Sequence, residues 1–378
     1  MSEATDTTRT QASDDRVELF ADRLVGILNS GALALMISIG HRTGLFDAMA
    51  GMNPATSRAI AERAGLSERY VREWLGAMTA GAVVDHDPEA GTYALPEAHA
   101  ASLTRRSPTD NLAVFAQYVP LLGSVEDDVV HCFRYGGGVP YERFGRFHEI
   151  MAEDSGQSVV PALEEHILPL VPGLRERLEE GIRVLDAGCG RGRALNALAT
   201  MFPNSRFTGY DLSEEAIAVA RAEARELGHD HVTFEVRDLT DFDRTAEPQA
   251  FDFITTFDAI HDQEDPAAML RGIRRALADG GVYLAQDIKG SGHHHGDRDH
   301  PLGPLLYTLS CMHCMTVSLA RGGDGLGAMW GLEKAVEYFR AAGFGDIAVR
   351  ELSHDIQNTW YVCRPRGSAS DAGSHPDV

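Results

Sequence analysis

Nine residues constrain this chain more than any other stretch. Val184-Leu185-Asp186-Ala187-Gly188-Cys189-Gly190-Arg191-Gly192 reads as a short buried strand that runs into a glycine turn and opens a helix, Ala194 to Met201, with apolar residues at helical spacing. Gly188 and Gly190 let backbone approach a ligand closely, at the strand end where open α/β sheets bind small molecules. Phe207 to Asp211 reads as a second strand ending in an acid, about 20 residues on, where nucleotide-binding βαβ units hold a ribose diol. Val232 to Asp238 ends the same way, and Phe251–Phe257 and Gly281–Ile288 continue the series. Helical segments fall between them, so the pattern predicts a parallel sheet covered on both faces. A helix over Glu333–Ala342 and a closing antiparallel pair, Ile347–Leu352 and Asn358–Cys363, bring the strands to seven.

The glycine spacing separates two kinds of ligand. A dinucleotide turn needs G-x-G-x-x-G so that a pyrophosphate can sit on the helix N-terminus, but here the third glycine is Gly192 and Arg193 stands where it should be. The stretch Leu185 to Gly192 instead resembles motif I of the class I S-adenosylmethionine-dependent methyltransferases. That resemblance implies a Rossmann-like seven-stranded sheet with S-adenosylmethionine as cofactor. It places Asp186 and the turn Gly188, Cys189, Gly190 beside the methionine part, Asp211 with Leu212 at the ribose, and Asp238 with Leu239 at the adenine. Phe257 completes the implied cofactor set.

Composition bounds the partners. At 378 residues the chain is long enough for two domains, and 44% hydrophobic with 24% charged residues is ordinary for a globular protein. A net charge of −22 argues against a nucleic-acid surface and against anionic lipid, leaving small molecules as the expected partners. Five cysteines without framework spacing suit a reducing compartment. With no leader pattern and no membrane-length apolar run expected, the cytoplasm is the expected location.

Residues 1–14 and 367–378 are polar and expected to be disordered. Residues 15–105 read as a winged-helix dimerisation domain. Two helices are expected between Arg16 and about Ala50, the second apolar on most of its surface, which suits burial in a second copy of the chain. Ser57–Ala64, the turn Gly65-Leu66-Ser67 and Glu68–Thr79 form a helix, turn and N-capped helix. Val83–Asp85 and Thr92–Leu95 form the hairpin wing. A DNA-reading version would need basic residues on the second helix, but Glu68, Arg69, Arg72 and Glu73 are balanced. An S-adenosylmethionine-responsive winged-helix transcriptional regulator without catalysis is the alternative reading, and those balanced charges count against it. Residues 106–178 read as a helical linker and lid broken at Gly136–Pro140 and at Gly156, with Tyr141, Phe144, Phe147, His148 and Met151 recurring at helical spacing. The cofactor domain follows at 179–366.

Chemistry is expected just after the fourth strand of the sheet. The carboxyl ends of strands face the ligand, so His261 and Asp262 fall close to a transferable methyl group. Ile260-His261-Asp262-Gln263-Glu264-Asp265 resembles the His-Asp-Trp-x-Asp segment of the small-molecule O-methyltransferases of plants and bacteria, with Gln263 where Trp is usual. The resemblance implies His261 as general base toward a hydroxylated aromatic. Beyond the fifth strand, Pro301–Ala320 reads as a buried helix bringing His313 to the pocket, with Tyr307 and Met315 as walls and Tyr141 and Trp330 as weaker acceptor contacts. His261, Asp262 and His313 also make a two-His-one-carboxylate set, suited to one divalent or ferric ion that would chelate an enolisable 2-oxo acid. The histidines at 293–295 with His300, and the Cys311-x-x-Cys314 pair, are further but weaker metal candidates. This long segment and its neighbours resemble a bacterial set of methyltransferase-like proteins.

Overall fold

The computed structural model describes residues 3–106, 111–353 and 355–366, with side chains from 15 onward. Two units divide the chain, 1–120 and 121–378.

In the first unit a single helix, Glu3–Arg42, replaces the two expected, because nothing between Arg16 and Arg42 breaks the backbone pattern. It also runs through the segment 3–14 that composition marks as disordered, whose side chains lie outside the described residues. The tail 367–378 lies outside them altogether. Over Asp15–Arg42 this helix is long and apolar enough to cross a membrane by length and composition, which corrects the expectation that no such stretch exists. Val17, Phe20, Leu24, Val25, Ile27 and Leu28 are all exposed on it. Helices Leu45–Met49, Ser57–Ala64 and Glu68–Ala80 and the hairpin β1 (Asp85–Asp87) with β2 (Thr92–Ala94) form the winged helix. Thr56 caps the second of these helices by accepting from the Ala59 amide. Phe46, Trp74, Leu75 and Met78 fill its core, and the Trp74 indole donates to the Met36 carbonyl at 2.8 Å. On the Glu68–Ala80 helix the arginines are spent locally, Arg69 on Glu73 and Arg72 on Glu68.

The second unit holds the sheet. Its strands are β3 (Arg183–Ala187), β4 (Arg206–Asp211), β5 (Val232–Val236), β6 (Phe251–Phe257), β7 (Leu277–Ile288), β8 (Phe344–Arg350) and β9 (Asn358–Pro365). They lie in the order β5-β4-β3-β6-β7-β9-β8, parallel except where β9 runs antiparallel to both neighbours. The seven-stranded α/β architecture is therefore as expected. β7 begins four residues before the expected Gly281, pairing Leu277 with Phe251 across a register break, so the preceding helix ends at Ala276. Two apolar cores flank the sheet, one around Leu195, Phe202 and Phe207, the other around Ile254, Met269 and Phe339. Strands buried on both faces need such near-continuous apolar runs. Gly156 does not break the lid: Phe147–Ser158 is one helix through it, since a lone glycine weakens a helix without ending it. The break at Gly136–Pro140 is real.

Candidate active site

The glycine turn is held from below by the strand beside it. The Gly188 and Cys189 amides both donate to the Tyr210 carbonyl, at 2.8 and 2.9 Å, and the Gly190 amide donates to the Asp211 carboxylate at 2.8 Å. The second Asp211 oxygen accepts from the Ser213 amide, so the acid at the end of β4 is fixed in place. Gly188 has φ +81°, and a Cβ there would meet the Ala259 side chain at 2.5 Å. Gly192 serves packing: a Cβ there would strike the Phe234 ring at 2.5 Å.

Above this turn lies a cleft partly open to solvent. Asp186, Gly188, Cys189, Gly190 and Phe257 line it as expected, and the lid helix supplies His148, Met151 and Ser155 opposite them. Asp186 is buried, and its carboxylate accepts from the Thr255 hydroxyl at 2.9 Å. Burial drives its pKa up to about 7, with Thr255 opposing and Asp211 adding to the rise. Other expected cofactor residues stand apart from this wall. Leu212 is exposed, Leu239 is packed in the core near Phe242, and Asp238 turns to Arg321 at 2.6 Å.

Past the end of β6 the chain buries His261. Its Nδ1 lies 2.7 Å from an oxygen of Asp287, which also accepts from the Trp330 indole at 3.0 Å and the Ile288 amide at 2.9 Å. Burial pulls the imidazole pKa down, but Asp287 and the Cys314 thiol outweigh it and leave it well above the ordinary value. Asp287 carries no recognisable motif; the parallel register of β6 and β7 brings it there. Asp262 is pushed up to about 6, mostly by burial, against the pull of His261. Gln263, standing where Trp is usual, donates to the Ala259 carbonyl at 2.8 Å and to Asp262 at 3.3 Å, so it ties the acid to the turn.

The segment after β7 is less regular than the single helix expected. Helix Gly303–Leu309 loosens into a π-turn, Ser310–Cys314, before Met315–Ala320, and π-turns of this kind gather at functional sites. His313 sits on that turn, fully buried, stacked on Phe147 at 3.6 Å between ring centres, with Phe144 and Tyr141 edge-on at 4.6 and 5.3 Å. Neither ring nitrogen has a hydrogen-bond partner. Burial first, then His261 and His148, lowers its pKa to about 3. The aromatic residues expected of the lid thus divide: His148 and Met151 face the glycine turn, while Tyr141, Phe144 and Phe147 cage His313. Trp330 holds Asp287, and Tyr307 donates to Asp297.

Among the described residues no three His, Cys, Asp or Glu side chains are arranged to hold a metal ion. The set His261, Asp262, His313 is accordingly not assembled as ligands, because Asp287 takes one His261 nitrogen and the aromatic cage holds the His313 ring. The histidines at 293–295 and the Cys311/Cys314 pair form no such group either.

Comparison with known proteins agrees with this geometry. Residues 31–105 match a Rv2258c-like winged HTH domain, and residues 178–313 match a methyltransferase domain. The ubiquinone biosynthesis O-methyltransferase of Idiomarina loihiensis is 32% identical over 120 residues, 30% of this chain and 47% of that protein. The match thus spans about half the length of this curated relative. A Nostoc punctiforme protein assigned as an O-methyltransferase superposes with TM-score 0.68 at 20% identity, covering 90% of this chain and 98% of its own. Human N-acetylserotonin methyltransferase, solved with S-adenosylmethionine, superposes with TM-score 0.63 at 18% identity, covering 91% and 98%. Residues 178–313 thus match a methyltransferase domain and residues 31–105 a Rv2258c-like winged HTH domain, and 90% of the chain shares the fold of the Nostoc punctiforme structure.

Proposed function

We propose that this chain transfers the methyl group of S-adenosylmethionine to a hydroxyl of a small aromatic acceptor, with His261 as general base. The observation that carries the reading is the buried His261–Asp287 pair at the carboxyl ends of β6 and β7, with His261 four residues past Phe257, which lines the glycine-turn cleft.

The cleft suits the cofactor. Asp186 and Asp211 supply carboxylates to a ligand that is cationic at sulfur and nitrogen, and the glycine turn admits it without a Cβ in the way. Asp211 is the residue for the ribose diol, and the backbone beside Asp238 and Leu239 is the side for the adenine. Bound there, the sulfonium supplies an activated methyl group, so the protein's work is alignment and removal of one proton.

Asp287 fixes the tautomer and the plane of His261 through Nδ1, which leaves Nε2, on the side of the Cys314 thiol, as the nitrogen to take the acceptor's proton. The acceptor O–H gives its proton to Nε2 as its oxygen takes the methyl group, and Asp287 balances the resulting imidazolium. Asp262 and His313 complete the acceptor wall, the latter as a neutral imidazole with hydrogen-bonding capacity to spare. Because Asp287 raises the His261 pKa, the free base accumulates as pH rises, so turnover should climb through a midpoint above the ordinary imidazole value.

The reading also includes a second copy of the chain. The exposed apolar residues of the N-terminal helix over 15–32 are a cost in water that pairing with its counterpart would remove.

The test is transfer of labelled methyl from S-adenosylmethionine to a panel of phenols, with and without chelator. His261→Ala should keep cofactor binding and lose about 10²- to 10⁴-fold in turnover. Turnover at the parent rate in that variant would overturn the assignment. Activity that vanished with chelator and returned with metal would restore the three-ligand reading and send the search to 2-oxo acids.

A further inference from the structure

Past β6, and outside the base just described, one acid sits in a conformation that L residues seldom adopt. Asp258 has φ +52°, its amide is held by the Gln286 carbonyl at 3.0 Å, and its Oδ1 is buried without a hydrogen-bond partner. Strained backbone of this kind persists where the surrounding structure over-determines it, and such places cluster at ligand clamps.

What surrounds Asp258 is rich in hydrogen-bond acceptors. Phe257, Gln286 and Trp360 lie in one row across β6, β7 and β9, so their side chains share a face, and Asn358, two residues from Trp360, shares it too. Phe257 places that face on the cleft side, under the lid helix. Gln286 is 2% exposed and Asn358 4%, and each has a side-chain oxygen with no donor. Asp287 has a second oxygen in the same state. The charges bearing on Asp258 are Asp287 and Asp355 from the sheet side, Asp154 from the lid helix, and His261 as the opposing one.

Buried oxygens left without donors are costly, and a partner that donates several hydrogen bonds relieves them together. Asp258, Gln286 and Asn358 each leave a buried oxygen without a donor, and an ammonium group, which only donates, can meet them together. We propose that the acceptor carries a protonated amine besides the hydroxyl that is methylated, and that Asp258 holds this amine while Gln286 and Asn358 accept from it. The inference rests on the methyl-transfer reading for the acceptor's place in the cleft. Burial pushes the Asp258 carboxyl well above the usual range in the empty chain, and an ammonium group brings it back to the ionised form.

The experiment compares two phenols that differ in charge, tyramine and 4-ethylphenol, by calorimetric titration of the full chain loaded with S-adenosylhomocysteine. Tyramine should bind about tenfold more tightly or better. The preference should disappear in Asp258→Asn and in Asp258→Gly, the second of which suits the positive φ and so keeps the fold. Equal affinities, absence of tyramine binding, or a preference that survives in Asp258→Gly would overturn the proposal. Titration with S-adenosylhomocysteine alone is the separate check on the cofactor reading: if that heat is missing, the methyltransferase assignment has failed, not the amine site.

Discussion

Asp287 shows how much of this site depends on a residue that never touches the acceptor. One of its oxygens takes three hydrogen bonds, from His261, Trp330 and the Ile288 amide. Asp287→Asn should keep the fold and lower turnover by about 10- to 100-fold. It should also bring the midpoint of the pH–rate curve down toward that of a free imidazole, because the charge raising the His261 pKa is gone. A profile with unchanged midpoint would show that Asp287 is only structural. Asp186 makes a second prediction at this scale. Burial pushes its carboxyl up to about 7, and a cationic ligand would favour its ionised form, so binding should release a proton. Affinity for S-adenosylmethionine should therefore rise as pH is raised through about 7, and the binding heat should vary with the buffer's ionisation enthalpy. A buffer-independent heat would refute it. The pairing of His261 with Asp287 was not legible beforehand: the two lie 26 positions apart and sheet register brings them together, while Trp330, 43 positions from Asp287, comes from the loop before the helix Leu332–Ala341.

Among elements, the strands were readable because apolar runs ending in Asp186, Asp211 and Phe257 have no other stable arrangement than a covered parallel sheet. The π-turn at Ser310–Cys314 was not, since no local preference distinguishes it from ordinary helix, yet it sets the direction of His313. The glycine loop before Tyr141 was seen as a break but not as an attachment. The Val139 amide donates to the Thr316 hydroxyl at 2.8 Å, and a Cβ on Gly138 would lie 2.0 Å from the Thr316 carbonyl. Gly138→Ala should force the loop off the helix Met315–Ala320, costing about 1–3 kcal/mol and loosening the aromatic cage. Thermal melting checks the first effect, and a rise in acceptor KM at unchanged cofactor affinity checks the second.

For the whole molecule, the long N-terminal helix sets the question of assembly. Its apolar residues lie on several sides, so burial by one straight neighbour would leave some in water, and the proposed pairing would have to be extensive. Leu24→Lys with Leu28→Lys should shift the chain from dimer to monomer in light scattering, with the winged-helix core intact by circular dichroism. A parent chain that is already monomeric would remove the dimer from the reading. The winged helix was legible because its turn and wing carry glycine and capping residues, although the first wing strand runs Asp85–Asp87 and not Val83–Asp85. The sequence pattern split the first helix in two because amphipathic periodicity fades where every side is apolar.

His313 carries a consequence of a different kind. Two ring nitrogens without partners are held at the centre of an aromatic cage, where a leucine would pack with nothing left unmet. Each orphan nitrogen forgoes about 1–3 kcal/mol, so the chain is less durable than the same fold could be. Selection for heat tolerance alone would discard this histidine early, and, with the acceptor placed as proposed, a stabilised descendant would keep its shape while losing that contact.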